Sequence, residues 1–377
     1  MHSSVVCYDE HRSHLPHVLG LPDDAQLRSW PSPRWTLRLW NFHGGGEVLD
    51  GAFVFDCVIH AYSMSDANLL DRPDAELGRS SILSLGAQTR APGAGDQYPT
   101  FARDWTPDIL YDMVFTQSAT DLAMAQTVPI FDWFRDGFAP VKAQYAFAQA
   151  YPDKVLFCGG VDPSYHGAGT LEEMERQVKE LGARSFKFYN AHIDGKSWRC
   201  DDEQIAYPMY EKALQLGINV VQFHKGLPFG NQNMEDLKPN DIQKAARDFP
   251  NMTFIIHHLA LPYFDECASI GARFPNVYLA LSGIIAMYFV RRKPFLLQMG
   301  QLLAEVGSDK LLWGSEAALM GVPQPYLDAL WTLEIPESIQ DEYGFPQITQ
   351  EDKRKILGLN FARLMGVESP AAAAVAS

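Results

Sequence analysis

Four short apolar runs in this chain end in residues that bind metals: VFDCVIH at 54–60, NVVQFH at 219–224, MTFIIHH at 252–258 and LLWGSE at 311–316. A fifth run, RSFKFY at 184–189, sets Lys187 between two phenylalanines. Buried strands do not ordinarily carry His, Asp, Glu or Lys, because an unpaired buried polar group is strongly destabilising. Five such runs imply one shared site. A metal centre where the strands of a parallel barrel end accounts for all of them.

Asp56 and His60 share strand parity with Val58, so the carboxylate and the imidazole can reach one metal. The competing reading makes Asp56 a turn cap and His60 a core histidine. His224 closes an apolar strand ahead of KGLPFG, a loop in which Lys225 and Gly226 can line the same mouth. His257 and His258 are adjacent and point to opposite faces. His258, at the strand end, is the expected ligand; His257 supports it, serves a second metal or packs under a helix. Glu316 can ligate metal or act as general base.

Lys187 is expected to be desolvated, with its pKa depressed. It then binds a substrate carboxylate, polarises an oxygen, bridges metals as a carbamate or pairs with Asp56. His192, in the loop beyond, is a further candidate. Imidazoles with carboxylates suit zinc, iron or manganese better than magnesium or calcium. Cys57 has the wrong parity to join Asp56.

The elements that must hold these residues follow a strand-helix rhythm. Strand-like runs fall near 52–58, 121–128, 155–161, 184–189, 218–224, 252–258, 276–282 and 311–314. Helical patterns lie between many of them, at 170–182, 201–217, 239–249 and 295–307. Thr170 and Glu173 read as a capping box, and Pro208 as a kink or an early helical position. Eight strands with intervening helices give a (β/α)8 TIM barrel over 51–366, closed by the amphipathic segment 348–366. The stretch 62–118 is too long for a simple loop and reads as an insertion over the mouth; 317–345 is a second such region. Residues 1–50, with Trp30, Trp35 and Trp40, read as an extension, and 367–377 as a disordered tail. His11, His14 and His17 recur at every third position, but Pro16 and the terminal setting favour a solvated arm.

The 377 residues are 47% hydrophobic and 20% charged, enough for a large core. A net charge of −15 argues against nucleic acid and against an anionic membrane surface. Five cysteines without C-x-x-C spacing give neither a disulfide framework nor a zinc ribbon, and fit a reducing cytosol. No signal or bilayer-spanning pattern is present.

The ordered set FDCVIH, YPDKVLFCGGVDP, RSFKFY, VVQFHKG, FIIHHLA, FPNVYLALSG, KLLWGSE and KILGLNFARLMG, covering about 52–366, resembles the amidohydrolase superfamily. The similar branch holds metal-dependent decarboxylases and hydrolases of carboxylated aromatic substrates. Two departures stand out: Val58 replaces a usual histidine, and Glu316 a usual aspartate. DCVIHAYSMSDAN together with QFHKGLPFG looks more like an offshoot of oxygen-activating hydroxylases, which act on small substrates such as 2-aminoisobutyric acid. That resemblance implies iron with a second divalent metal (manganese, cobalt or iron), O2 as co-substrate, a related hydroxylase subunit, and a ferredoxin or reductase electron donor. On this reading Asp56, His60, His224, His258 and Glu316 hold metal, while Lys187 and His257 complete the site. The hydroxylase is the first expectation. A zinc or manganese hydrolase or decarboxylase is the second, and a structural partner of an active paralogue the third.

Overall fold

Each apolar run becomes a short buried strand. The computed structural model describes residues 49–95 and 103–368, and the strands are β1 (Phe55–Ile59), β2 (Leu122–Gln126), β3 (Val155–Gly159), β4 (Ser185–Phe188), β5 (Val220–Phe223), β6 (Thr253–Ile256), β7 (Val277–Ala280) and β8 (Leu311–Leu312). They form one parallel sheet in chain order. Beyond β8 the chain closes onto β1: Cys57 N donates to Trp313 O at 3.1 Å, Glu316 N to Val58 O at 3.2 Å, and His60 N to Ala317 O at 2.7 Å. The result is a (β/α)8 barrel, and all eight sequence-predicted strands are present with slightly shorter bounds.

The pairing of β1 with β2 shifts register between Asp56 and Ile59. A bulge of this kind re-aims side chains, and it undoes the parity argument. Cys57 packs in the barrel interior with Met124, Cys158, Ile255 and Leu312. Asp56 instead reaches toward the segment after β8. Above this apolar floor lies a polar belt. Gln126 Nε2 donates to Cys57 O (2.6 Å) and to Gln222 Oε1 (2.8 Å), and Gln222 Nε2 donates to Ser185 Oγ (3.1 Å).

Helical expectations are met with local changes. The helix Thr170–Lys179 has no capping box: Thr170 Oγ1 donates to Gly167 O at 2.7 Å, and Glu173 pairs with Arg176. Such a box does form at Thr349 and Asp352. Pro208 sits in the first turn of Ala206–Gln215, where its missing N–H costs nothing. The segment 348–366 is broken by a π turn at Lys355–Leu359, which brings Gly358 so close to the Phe53 carbonyl that a Cβ would lie 2.4 Å from it. Phe361 then packs edge-on against Phe55, at the start of β1.

The insertion after β1 holds the helix Ala75–Thr89, whose Gly78 lies flat on the Trp133 ring. Most of the proposed extension, with its tryptophans and three spaced histidines, and most of the tail lie outside the described residues. Among the described residues no helix is long and apolar enough to cross a membrane.

Candidate metal centre

Three of the strand-end histidines share one arrangement. His60 Nδ1 donates to the Gln126 carbonyl at 2.7 Å, leaving Nε2 with a lone pair. His258 Nδ1 donates to the Ser282 carbonyl at 3.0 Å, again leaving Nε2 free. His224 Nε2 donates to the Leu227 carbonyl at 3.1 Å, and its Nδ1 is buried without a partner. A carbonyl that fixes one nitrogen and frees the other is the usual support for a metal-bound imidazole.

Glu316 completes the group. Its Oε2 lies 3.3 Å from His60 Nε2, and its buried, unpartnered Oε1 lies 3.9 Å from His258 Nδ1. The His224 and His258 rings are 4.7 Å apart. The electrostatics suit a cation held by these residues. Burial lowers His258 to about 4 and His224 well below the ordinary histidine value, so both are neutral at neutral pH. Burial pushes Glu316 up, but His258, His60 and Lys187 outweigh it and hold the carboxyl at about 2. Lone pairs facing a permanent carboxylate fit a divalent metal of the zinc, manganese or iron type.

His257 lies near enough to count as a donor, within 4.8 Å of the His258 and Glu316 atoms. Its hydrogen bonds argue otherwise: Nδ1 is 2.9 Å from Ser282 Oγ, and Nε2 is 2.8 Å from Gln222 Oε1. Both nitrogens are committed, so His257 belongs to the polar belt and orients Ser282.

Asp56 is fully buried, feels the charge of Glu316, and has no hydrogen-bond partner at Oδ2. Its Oδ1 accepts from Val58 N (3.1 Å) and Ser315 N (3.0 Å), which fixes the backbone just before Glu316. Burial pushes its carboxyl up to about 7. Lys187 is fully buried, and its Nζ has no hydrogen-bond partner, so of the alternatives for it the pair with Asp56 is not formed. It does not line the pocket either. Lys225 also turns away from the mouth, into a buried pair with Asp241 at 2.8 Å.

The turn that carries His224 is tightly built. Gly226 has φ +69°, and a Cβ there would lie 2.2 Å from Leu261 O. Gly226→Ala is expected to destabilise the fold by on the order of 3 kcal/mol, read from thermal melting. His258 and Glu316 themselves adopt left-handed backbone, at φ 60° and 57°. Non-glycine residues held this way cluster at functional sites.

Above the cluster is a cavity of about 80 Å³. Its walls are mostly apolar, with Leu85, Phe138, Phe229, Ile284, Met287 and Leu319 among them. Tyr62, Tyr189 and Thr89 add polar atoms, and no Lys or Arg lines it among the described residues. Tyr62 bonds Glu316, and burial followed by that carboxylate holds its hydroxyl un-ionised. Sequence reasoning missed Tyr62, Tyr189 and Ser282. Ser282, in the polar step that ends the run VYLALSG, was the one with a readable signal.

A family model described as "Amidohydrolase" matches residues 60–367. The chain belongs to the amidohydrolase family. An uncharacterised TIM-barrel protein of Bordetella bronchiseptica is 20% identical, with 83% of this chain and 98% of that one covered and a TM-score of 0.60. An amidohydrolase of Burkholderia multivorans with bound HEPES is 16% identical (84% and 100% covered, TM-score 0.52). The 5-carboxyvanillate decarboxylase of Novosphingobium aromaticivorans, with bound manganese, is 14% identical (87% and 100% covered, TM-score 0.51). At these identities the likeness is one of fold. A curated relative, Protein fluG of Emericella nidulans, is 28% identical over 96 residues, spanning 26% of this chain and only 11% of that protein. The bound metals named for such structures are manganese and, in another crystal form of the Burkholderia protein, zinc.

The neutral histidines give a pH prediction. A buried histidine with a depressed pKa contributes stability that is full above the unfolded value and is lost as pH falls below it. For His258 the window runs from 6.5 down to about 4, worth up to about 3 kcal/mol. Denaturation of metal-free protein at pH 7 and pH 5 should show the loss, and His258→Asn should flatten it.

Proposed function

We propose that this amidohydrolase is a metal-dependent hydrolase or decarboxylase of a small, largely apolar molecule bearing one carboxylate. One observation carries the reading: three imidazoles, each with one nitrogen committed to a carbonyl, gather with Glu316 at the floor of an apolar pocket. A divalent metal held by His60, His224, His258 and Glu316 would supply a Lewis acid for a carboxylate or for water. The chain's own contribution is placement. Phe138, Phe229 and Leu227 exclude water from the pocket. Tyr62 holds its proton and bonds Glu316. With no cation in the described walls, an anionic group on the substrate finds favourable charge only at the floor.

A second reading is oxygen activation, with a related hydroxylase subunit and an external electron donor. It is favoured by the donor set, since histidines with a single carboxylate also suit ferrous iron. Protein reconstituted separately with zinc, manganese and ferrous iron, and offered a panel of aryl and branched monocarboxylates, separates the two. CO2 release or hydrolysis without O2 uptake supports the first. Substrate-dependent O2 uptake with the iron form alone would replace it by the second.

A further inference from the structure

His192 lies outside the donor cluster, yet it is fully buried between two carboxylates. Its Nδ1 is 2.8 Å from Asp132 Oδ2. Its Nε2 is 3.0 Å from the Tyr189 carbonyl and 3.1 Å from Asp162 Oδ2. The Nε2–H bond is directed at the carbonyl, because Asp162 Oδ2 is close without a hydrogen-bonding angle. Asp132 Oδ1 accepts from the Tyr165 hydroxyl (3.0 Å) and Ile193 N (3.2 Å), the setting of an ionised carboxylate, whose Oδ2 is then left as an acceptor facing the ring. Each ring nitrogen therefore faces an atom that has no proton to give, so each must carry its own hydrogen. The ring is an imidazolium, with Asp162 as its second counter-charge.

Neighbouring charges leave that role to His192. Arg72 reaches the Asp132 carbonyl (3.2 Å), but its guanidinium is taken by Asp74 and Asp194. His166 is hydrogen-bonded to the Asp162 backbone rather than to its carboxylate among the described residues. Lys196 sits over the Tyr165 ring, at 4.4 Å. The three members come from three loops: Asp132 follows β2, Asp162 follows β3 and His192 follows β4. Tyr189, whose carbonyl the ring holds, stacks its own ring on His224 at 4.7 Å and 16°.

We propose that His192 is a positioning residue for the metal centre: a buried cation that ties the loops after β2, β3 and β4 and, through Tyr189, sets the orientation of His224. The inference rests on the metal-ligand reading of His224. It goes beyond that reading by giving a charge, rather than a shape, the task of alignment.

The test is manganese affinity of the full chain, with thermal melting alongside, for wild type, His192→Gln and His192→Gln/Asp162→Asn. His192→Gln is expected to weaken manganese binding by about 10–100-fold, the range for residues that orient a ligand. Adding Asp162→Asn should recover most of that loss, because it removes the carboxylate the lost cation balanced. Wild-type affinity in His192→Gln, or a double variant no better than the single, overturns the proposal.

Should His192→Gln fail to fold, Tyr189→Leu tests the route with the clamp intact. It should weaken manganese binding similarly, and unchanged affinity would overturn the route. Nitrogen NMR of histidine-labelled, metal-free wild type at pH 8 should show one ring protonated at both nitrogens; its absence removes the cation. If wild type binds no manganese, the metal-site reading fails and the positioning role falls with it. A manganese-binding wild type with an indifferent His192→Gln defeats only the present inference.

Discussion

Glu316→Gln is expected to abolish metal binding while the barrel stays folded. The carboxylate is the only anion in the donor group, and the His258 and His224 imidazoles beside it are neutral at neutral pH. Losing it should cost metal affinity more than the roughly 10–100-fold that supporting residues carry. The metal-free variant should be somewhat less stable than wild type at neutral pH, since the fold holds the Glu316 carboxyl at about 2, below its ordinary 4.5, and so favours the charged form that is lost. The contrast appears on adding metal. At a thousand times Kd, wild type gains about 4 kcal/mol of stability by mass action, and Glu316→Gln gains none. Melting curves of both proteins with and without manganese check this. A metal-dependent shift that survives in Glu316→Gln would remove Glu316 from the site.

Lys187→Met is expected to stabilise the metal-free protein. The amine is fully buried, lacks a hydrogen-bond partner, and is lowered by burial from 10.5 to about 8. A lysine whose folded pKa lies below its unfolded value costs stability at every pH below the folded pKa. That cost fades as pH rises from about 8 to 10.5. The shift corresponds to about 3 kcal/mol, and methionine fills a similar volume without a charge. The gain should be near its full size at pH 7 and smaller at pH 9.5, as read from chemical denaturation. Turnover should fall in the same variant, because nothing in the packing requires the charge and only the neighbouring site can use it. A loss of stability, or a gain indifferent to pH, would contradict this account of the lysine.

The barrel was legible because each strand is a short apolar run broken by a polar residue or a glycine, a pattern that survives small errors in bounds. His60, His224, His258 and Glu316 were legible for the same reason: each interrupts such a run at its end, and the structure brings these four together. The alternation that pairs Asp56 with His60 was not legible as broken, because no local signal marks the register shift between Asp56 and Ile59. That bulge also turns Cys57 into the interior. Lys187 was recognisable as buried, but its isolation was not, since that depends on which side chains other strands send inward. Asp132 carried no signal, and Asp162 entered only as part of the run YPDKVLFCGGVDP, with no role attached to it. Each is an ordinary loop aspartate until folding places His192 between them.

The most direct test of the central claim is anomalous diffraction at the manganese edge from crystals of the metal-loaded protein. A peak is expected bonded to His60 Nε2, His224 Nδ1, His258 Nε2 and a Glu316 oxygen, with His257 still bonded to Ser282 and Gln222. A peak elsewhere, or one held by Asp56, Lys187 or His257 in place of these donors, would contradict that claim.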